Sequence, residues 1–168
     1  MAATNERDAE LEEAYRLVSD TLAGAVRETL ETPGPDPARF AVRRLTAVDR
    51  DLPPDATPPG WSLAFLVLAD WFDAARTALA DRDDGAERAL GWIEAELGRR
   101  YAARARYTIT PLTDPESARE TSHYVDALGD DFLASMTWTV AALVAEFPGS
   151  EPTEVWPRVR ADAARSAG

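Results

Sequence analysis

The stretch WSLAFLVLADWFDAARTALADR, Trp61 to Arg82, constrains the fold more than any other part of this chain. Wound as a helix, it is apolar around most of its circumference and needs neighbours on several sides. It is therefore predicted as the central buried helix of a multi-helix body. Asp70 and Asp73 interrupt the run, and no stretch of the chain approaches the ~18 uninterrupted apolar residues of a membrane span.

The neighbours are visible as further helical stripes. Leu11, Tyr15, Val18, Leu22, Ala25 and Thr29 recur in alternating steps of four and three, one face of a helix that Pro33, Gly34 and Pro35 end. Asp36 and Pro37 carry the N-cap and first-turn signature of a second helix with Ala41, Leu45, Val48 and Leu52 on its seam. LPPDATPPG, Leu52 to Gly60, breaks that helix before Trp61. Beyond the turn-like DRDDG, Leu90, Ile93, Leu97 and Tyr101 predict one helix over Ala86 to Arg106. YTITPLT, Tyr107 to Thr113, is rich in β-branched residues and includes a proline, so an extended crossover is expected there.

Asp114, Pro115 and Glu116 open a further helix reaching Glu146, with Val125, Leu128, Phe132, Met136, Thr139 and Leu143 on its seam. FPGSEP ends it, and a short last helix is expected around Val155 to Ala164. The fold class is all-α: a single-domain bundle of five to six helices, mostly antiparallel, over residues 1–168, with 1–4 and 165–168 frayed.

Composition removes several function classes. The 168-residue chain has no cysteine and no lysine, which excludes thiolate chemistry, a lysine Schiff base and a P-loop lysine. A net charge of −12 opposes broad contact with nucleic acid. The N-terminus lacks a basic region followed by an apolar run, so a cytoplasmic protein without a membrane partner is expected.

His123 is the only histidine. At 100° per residue it falls about 160° from the seam of its helix, facing solvent among carboxylates. Glu116, Glu120 and His123 are a candidate metal set, but a carboxylate-bridged di-iron site needs two E-x-x-H motifs pointing inward. No metal or other cofactor is expected. Asp70 and Asp73 share one narrow polar stripe of the Trp61 helix with Thr77 and Asp81. The stripe reads as the solvated face of that helix, or alternatively as a carboxylate pair holding Mg²⁺ or a shared proton.

LGRRYAARARY gathers Arg99, Arg100, Arg104 and Arg106 with Tyr101 and Tyr107 near a helix C-terminus, and ARFAVRRL adds Arg39, Arg43 and Arg44. Ion pairing with the abundant carboxylates is the expected use; an anion clamp is the alternative. Five tryptophans exceed what a bundle of this size requires and are expected in the core or at an interface.

These features favour a bundle that binds a protein partner or itself, most simply as a homodimer or other homo-oligomer. The competing reading is a small-molecule-binding protein or enzyme with an aromatic-lined interhelical pocket, using Asp70, Asp73 or Glu94 for proton transfer with arginine and tyrosine. The absence of well-placed catalytic side chains favours the non-enzymatic reading.

Overall fold

The structure, a computed structural model, describes residues 2–51, 60–78, 84–113 and 130–147, with side chains described over 5–47, 60–72, 84–109 and 131–147. Those residues form six helices and no strand: α1 (Ala2–Glu31), α2 (Asp36–Asp51), α3 (Gly60–Ala78), α4 (Gly85–Glu96), α5 (Arg99–Thr113) and α6 (Asp130–Glu146). Each packs against several others around one core, as an all-α bundle requires. The stretch before Asp130 and the helix expected around Val155 lie outside the described residues.

The α1 seam is wider than one row. Val18, Leu22, Ala25 and Thr29 are buried, joined by Ser19, Ala23 and Val26, whereas Asn5 to Glu13 are exposed. The helix thus meets the core from Ala14 and Tyr15 onward. Thr32 N–H donates to the Glu28 carbonyl at 2.9 Å as α1 ends, and the short 32–35 connection folds α2 back antiparallel against it. Asp36 lies inside α2 rather than before it, because the Arg39 amide already bonds the Pro35 carbonyl at 3.4 Å. On α2, Ala38, Ala41, Val42 and Leu45 face inward.

α3 buries Leu63, Ala64, Val67, Leu68, Trp71 and Phe72 and contacts α1, α2, α6 and α5. Its N-terminal turns meet α6 through stacked rings, with Trp61 on Phe65 at 5.7 Å and Phe65 on Phe132 at 6.1 Å. It shares the centre of the bundle with α6, which touches each of the other five helices and is buried continuously from Phe132 to Val144. Two of its buried hydroxyls are satisfied within the helix: Thr137 donates to the Leu133 carbonyl and Thr139 to that of Ser135, both at 2.8 Å.

Two local expectations are corrected. The helix predicted over Ala86 to Arg106 is two helices, because Gly98 adopts φ +113°, a backbone conformation that side chains disfavour. The Leu97 and Gly98 amides both close onto the Ile93 carbonyl, while the Gly98 carbonyl accepts from Tyr101 and Ala102 and starts α5. Tyr107 to Thr113 is helical, not extended: α5 runs through it. Thr108 and Ile109 are buried there, and the Thr108 hydroxyl bonds the Ala105 carbonyl at 2.8 Å, so tertiary packing overrides β-propensity.

An added Cβ would meet nothing within 4 Å at either Gly98 or Gly91, so substitution tests backbone conformation alone. Gly98→Ala is expected to destabilise the bundle by about 1–2 kcal/mol, whereas Gly91→Ala, inside α4, stabilises it by about 0.5–1 kcal/mol. Urea unfolding of the two variants beside the parent checks both signs.

Candidate functional site

Two arrangements of charged and aromatic side chains stand out, and they differ in how far the fold has already used them. The first joins α2, α5 and α6. Arg39 donates to both oxygens of Asp131, from Nε at 3.1 Å and from Nη2 at 3.4 Å, and Arg104 Nη1 donates to Oδ2 of the same carboxylate. Arg39 also lies over the rings of Tyr101 and Trp138, at 5.4 and 5.8 Å. Those rings meet edge to face at 5.1 Å, and Trp138 Nε1 donates to the Pro35 carbonyl at 3.2 Å. The hydrogen bond that Arg39 donates to Asp131 is the main reason the Arg39 pKa rises above its ordinary value. With one carboxylate engaged by two guanidiniums and the rings packed on each other, this cluster is a three-helix joint.

At the opposite end of α6, Arg88 of α4 donates to Glu146 Oε2 at 3.2 Å and to the Glu146 carbonyl at 3.1 Å, over the Phe147 ring at 4.5 Å. An acid in the first turn and a base on the last carbonyls both suit the helix dipole.

The second arrangement is an open groove between α1 and α2 of about 280 Å³, lined by Asp20, Thr21, Gly24, Ala25 and Glu28 on one side and Pro37, Phe40, Ala41 and Arg44 on the other. Phe40 is 57% exposed and Leu17, one turn before Thr21, is 58% exposed. Arg43 covers part of the Phe40 ring, with its guanidinium 5.9 Å from the centroid. The floor at Gly24 is empty: an added Cβ would meet nothing within 4 Å. Asp20, Glu28 and Arg44 form no ion pair among the described residues, unlike Arg39, Arg88, Arg99, Arg104 and Arg106.

The residues singled out from the sequence are dispersed. Tyr101 and Arg104 come together in the three-helix joint; Arg99 pairs with Glu94 at 3.3 Å on the exposed surface, and Arg100 points to solvent. Asp70 accepts from the Tyr15 hydroxyl at 3.0 Å. Asp73 lies on α3, but its side chain is outside the described ones, as are Glu116, Glu120 and His123 entirely. Among the described residues no group of three or more His, Asp or Glu side chains is placed to hold a metal ion, and no helix is long and apolar enough to cross a membrane. Sequence reasoning noticed Arg43 and Arg44 but passed over Phe40 between them and the α2 seam. Its signal was a large aromatic ring set off the row of Ala38, Val42 and Leu45.

Asp131→Asn keeps the side-chain volume and removes the charge that both arginines share. A loss of about 1–2 kcal/mol in unfolding free energy is expected, limited by the partial exposure of all three groups and smaller at high salt. Urea titrations at low and high ionic strength measure it. Comparison of the chain with protein-family models, curated proteins and solved structures finds no match.

Proposed function

We propose that this protein works by protein–protein contact, and that its α1–α2 face holds a helical protein surface presenting an apolar ridge with charges of both signs beside it. The observation that carries this is the exposed Phe40 ring beside an unfilled floor at Gly24. Such a pairing of knob and hole is how helices engage one another across an interface. Leu17 extends the apolar row, and Asp20, Glu28 and Arg44 supply charge of both signs with no ion-pair partner among the described residues.

The energetics favour a partner over solvent. Burying a phenylalanine or leucine side chain fully is worth roughly 1.5–3 kcal/mol, a gain that the folded monomer leaves largely unused at Phe40 and Leu17. Aromatic and arginine side chains are also the usual anchors of binding energy. The groove gives a small-molecule or enzymatic reading little support: no tryptophan, Asp70 or Glu94 lines it, and it is open rather than enclosed.

The test is photo-cross-linking in living cells from a benzoylphenylalanine placed at Phe40, with the same group at the exposed Leu66 of α3 as control. Position 40 is expected to yield a discrete adduct whose peptide, identified by mass spectrometry, is an apolar helical ridge; position 66 yields none. Absence of any adduct at position 40, or equal adducts at both, overturns the reading. Phe40→Ser should change unfolding free energy by no more than about 0.5 kcal/mol, since the ring is outside the core.

A further inference from the structure

Resting on that reading of the α1–α2 face, we infer that the helix it holds is basic: an amphipathic helix of another protein whose apolar ridge is flanked by arginine or lysine where it lies over α1. The apolar part of the face selects the ridge, and the charge on the α1 bank selects the flank. Glu10, Glu13, Asp20, Glu28 and Glu31 are all exposed. With Leu17 and Gly24 between them they recur in steps of three and four, so they form one stripe along the outside of α1. Asp20, Gly24 and Glu28 of that stripe line the groove itself, which sets the direction in which it faces.

Leu17 and Gly24 are seven residues apart, the repeat at which a helix packed alongside returns to the same contact. Leu17 offers an exposed apolar side chain, and Gly24 an unfilled floor beside Phe40. Each is bracketed one turn away by carboxylates, Leu17 by Glu13 and Asp20, and Gly24 by Asp20 and Glu28. A helix seated on these two positions therefore sets the side chains flanking its ridge beside acid, as the charged positions of a coiled coil do. From Glu10 to Glu31 the stripe runs about 32 Å, the length of a partner helix of about 20 residues.

These carboxylates are not spent on the monomer. Among the described residues Glu10, Asp20, Glu28 and Glu31 form no ion pair, and Glu13 meets only Arg16, at 4.0 Å with both side chains largely exposed. On the α2 bank Arg43 and Arg44 are exposed, and Arg43 is turned over the Phe40 ring. Five carboxylates thus outnumber two arginines on the face. A second copy of the chain would bring like net charge to it, whereas a basic helix brings the opposite sign, and the net charge of −12 adds long-range attraction for such a segment.

The probe is a synthetic helix of about 21 residues with leucine at the ridge positions of the heptad, lysine along one flank and glutamine elsewhere. One companion peptide has glutamate for lysine, and another has the same composition with the ridge scrambled. By fluorescence anisotropy with the full chain, the lysine peptide is expected to bind saturably in the micromolar range, about tenfold or more tighter than either companion. Its affinity should fall several-fold as salt rises from about 50 to 300 mM. Asp20→Arg and Glu28→Arg together should weaken the lysine peptide about tenfold or more and strengthen the glutamate peptide. Gly24→Leu fills the floor and should weaken the lysine peptide comparably while leaving the melting temperature unchanged or higher, which separates an interface effect from misfolding.

A lysine peptide that binds no tighter than the scrambled one, or that is indifferent to Gly24→Leu, overturns the inference, because attraction to bulk charge then accounts for its binding. Failure of the broader reading is distinguishable. A position-40 adduct whose helix has neutral or acidic flanks, or that is a second copy of this chain, removes only the basic partner, whereas the absence of any adduct there removes both.

Discussion

Enclosing α6 on every side is the constraint to which the other elements answer. From Phe132 to Val144 it presents no residue to solvent, so all its flanks must be covered, and one or two partner helices cannot do that. Five helices contact it among the described residues. Burial of that extent is eased where its polar groups are settled locally, the Ser135 hydroxyl being buried without a hydrogen-bond partner among the described residues. Thr137 and Thr139 return their hydroxyls to carbonyls one turn back, and the charged residues are confined to the two ends. At those ends Asp131 and Glu146 are met by arginines from α2, α4 and α5, so the electrostatic contacts fix where the outer helices dock while the apolar contacts supply the driving force.

With the core built around α6, the α1–α2 hairpin keeps an outer face that no described helix covers. Its inner side is committed: Val18, Leu22 and Val26 of α1 and Ala38, Val42 and Leu45 of α2 belong to the core, and Trp138 bonds the turn at Pro35. Arg39 points inward to Asp131, whereas Arg43 and Arg44, four and five residues on, point elsewhere. Three arginines in one short helix thus have different fates decided by azimuth. The first is a structural joint, and the last borders a groove with no ion-pair partner among the described residues.

Much of the architecture was legible in the residues themselves. The stripes of α1, α2 and α3 and the prolines between them locate those helices, because apolar periodicity and the missing proline N–H act locally. The break at Gly98 was less visible: a glycine inside a helical pattern is tolerated as often as it terminates, and only the φ of +113° decides. Tyr107 to Thr113 misled for the opposite reason. Its β-branched residues favour extended backbone weakly, and burial of Thr108 and Ile109 against neighbouring helices outweighs that preference. The groove was the least legible feature. Arg43 and Arg44 read as charge, yet their significance depends on Gly24 lying across from Phe40, a contact between helices that no single-segment pattern encodes.

The location of that groove also bears on what selection can alter. Phe40, Gly24, Glu28 and Arg44 sit outside the core cluster, so exchanging them leaves the packing around α6 intact. Substitutions in the α6 joints behave differently, since Asp131 carries Arg39 and Arg104 together and its loss reaches three helices at once. The groove and the core thus draw on separate sets of residues on the same hairpin. α2 holds both, one row facing Asp131 and the core, the other facing outward. Exposed substitutions on the outer row of such a helix leave its buried row, Ala38, Val42 and Leu45, in place.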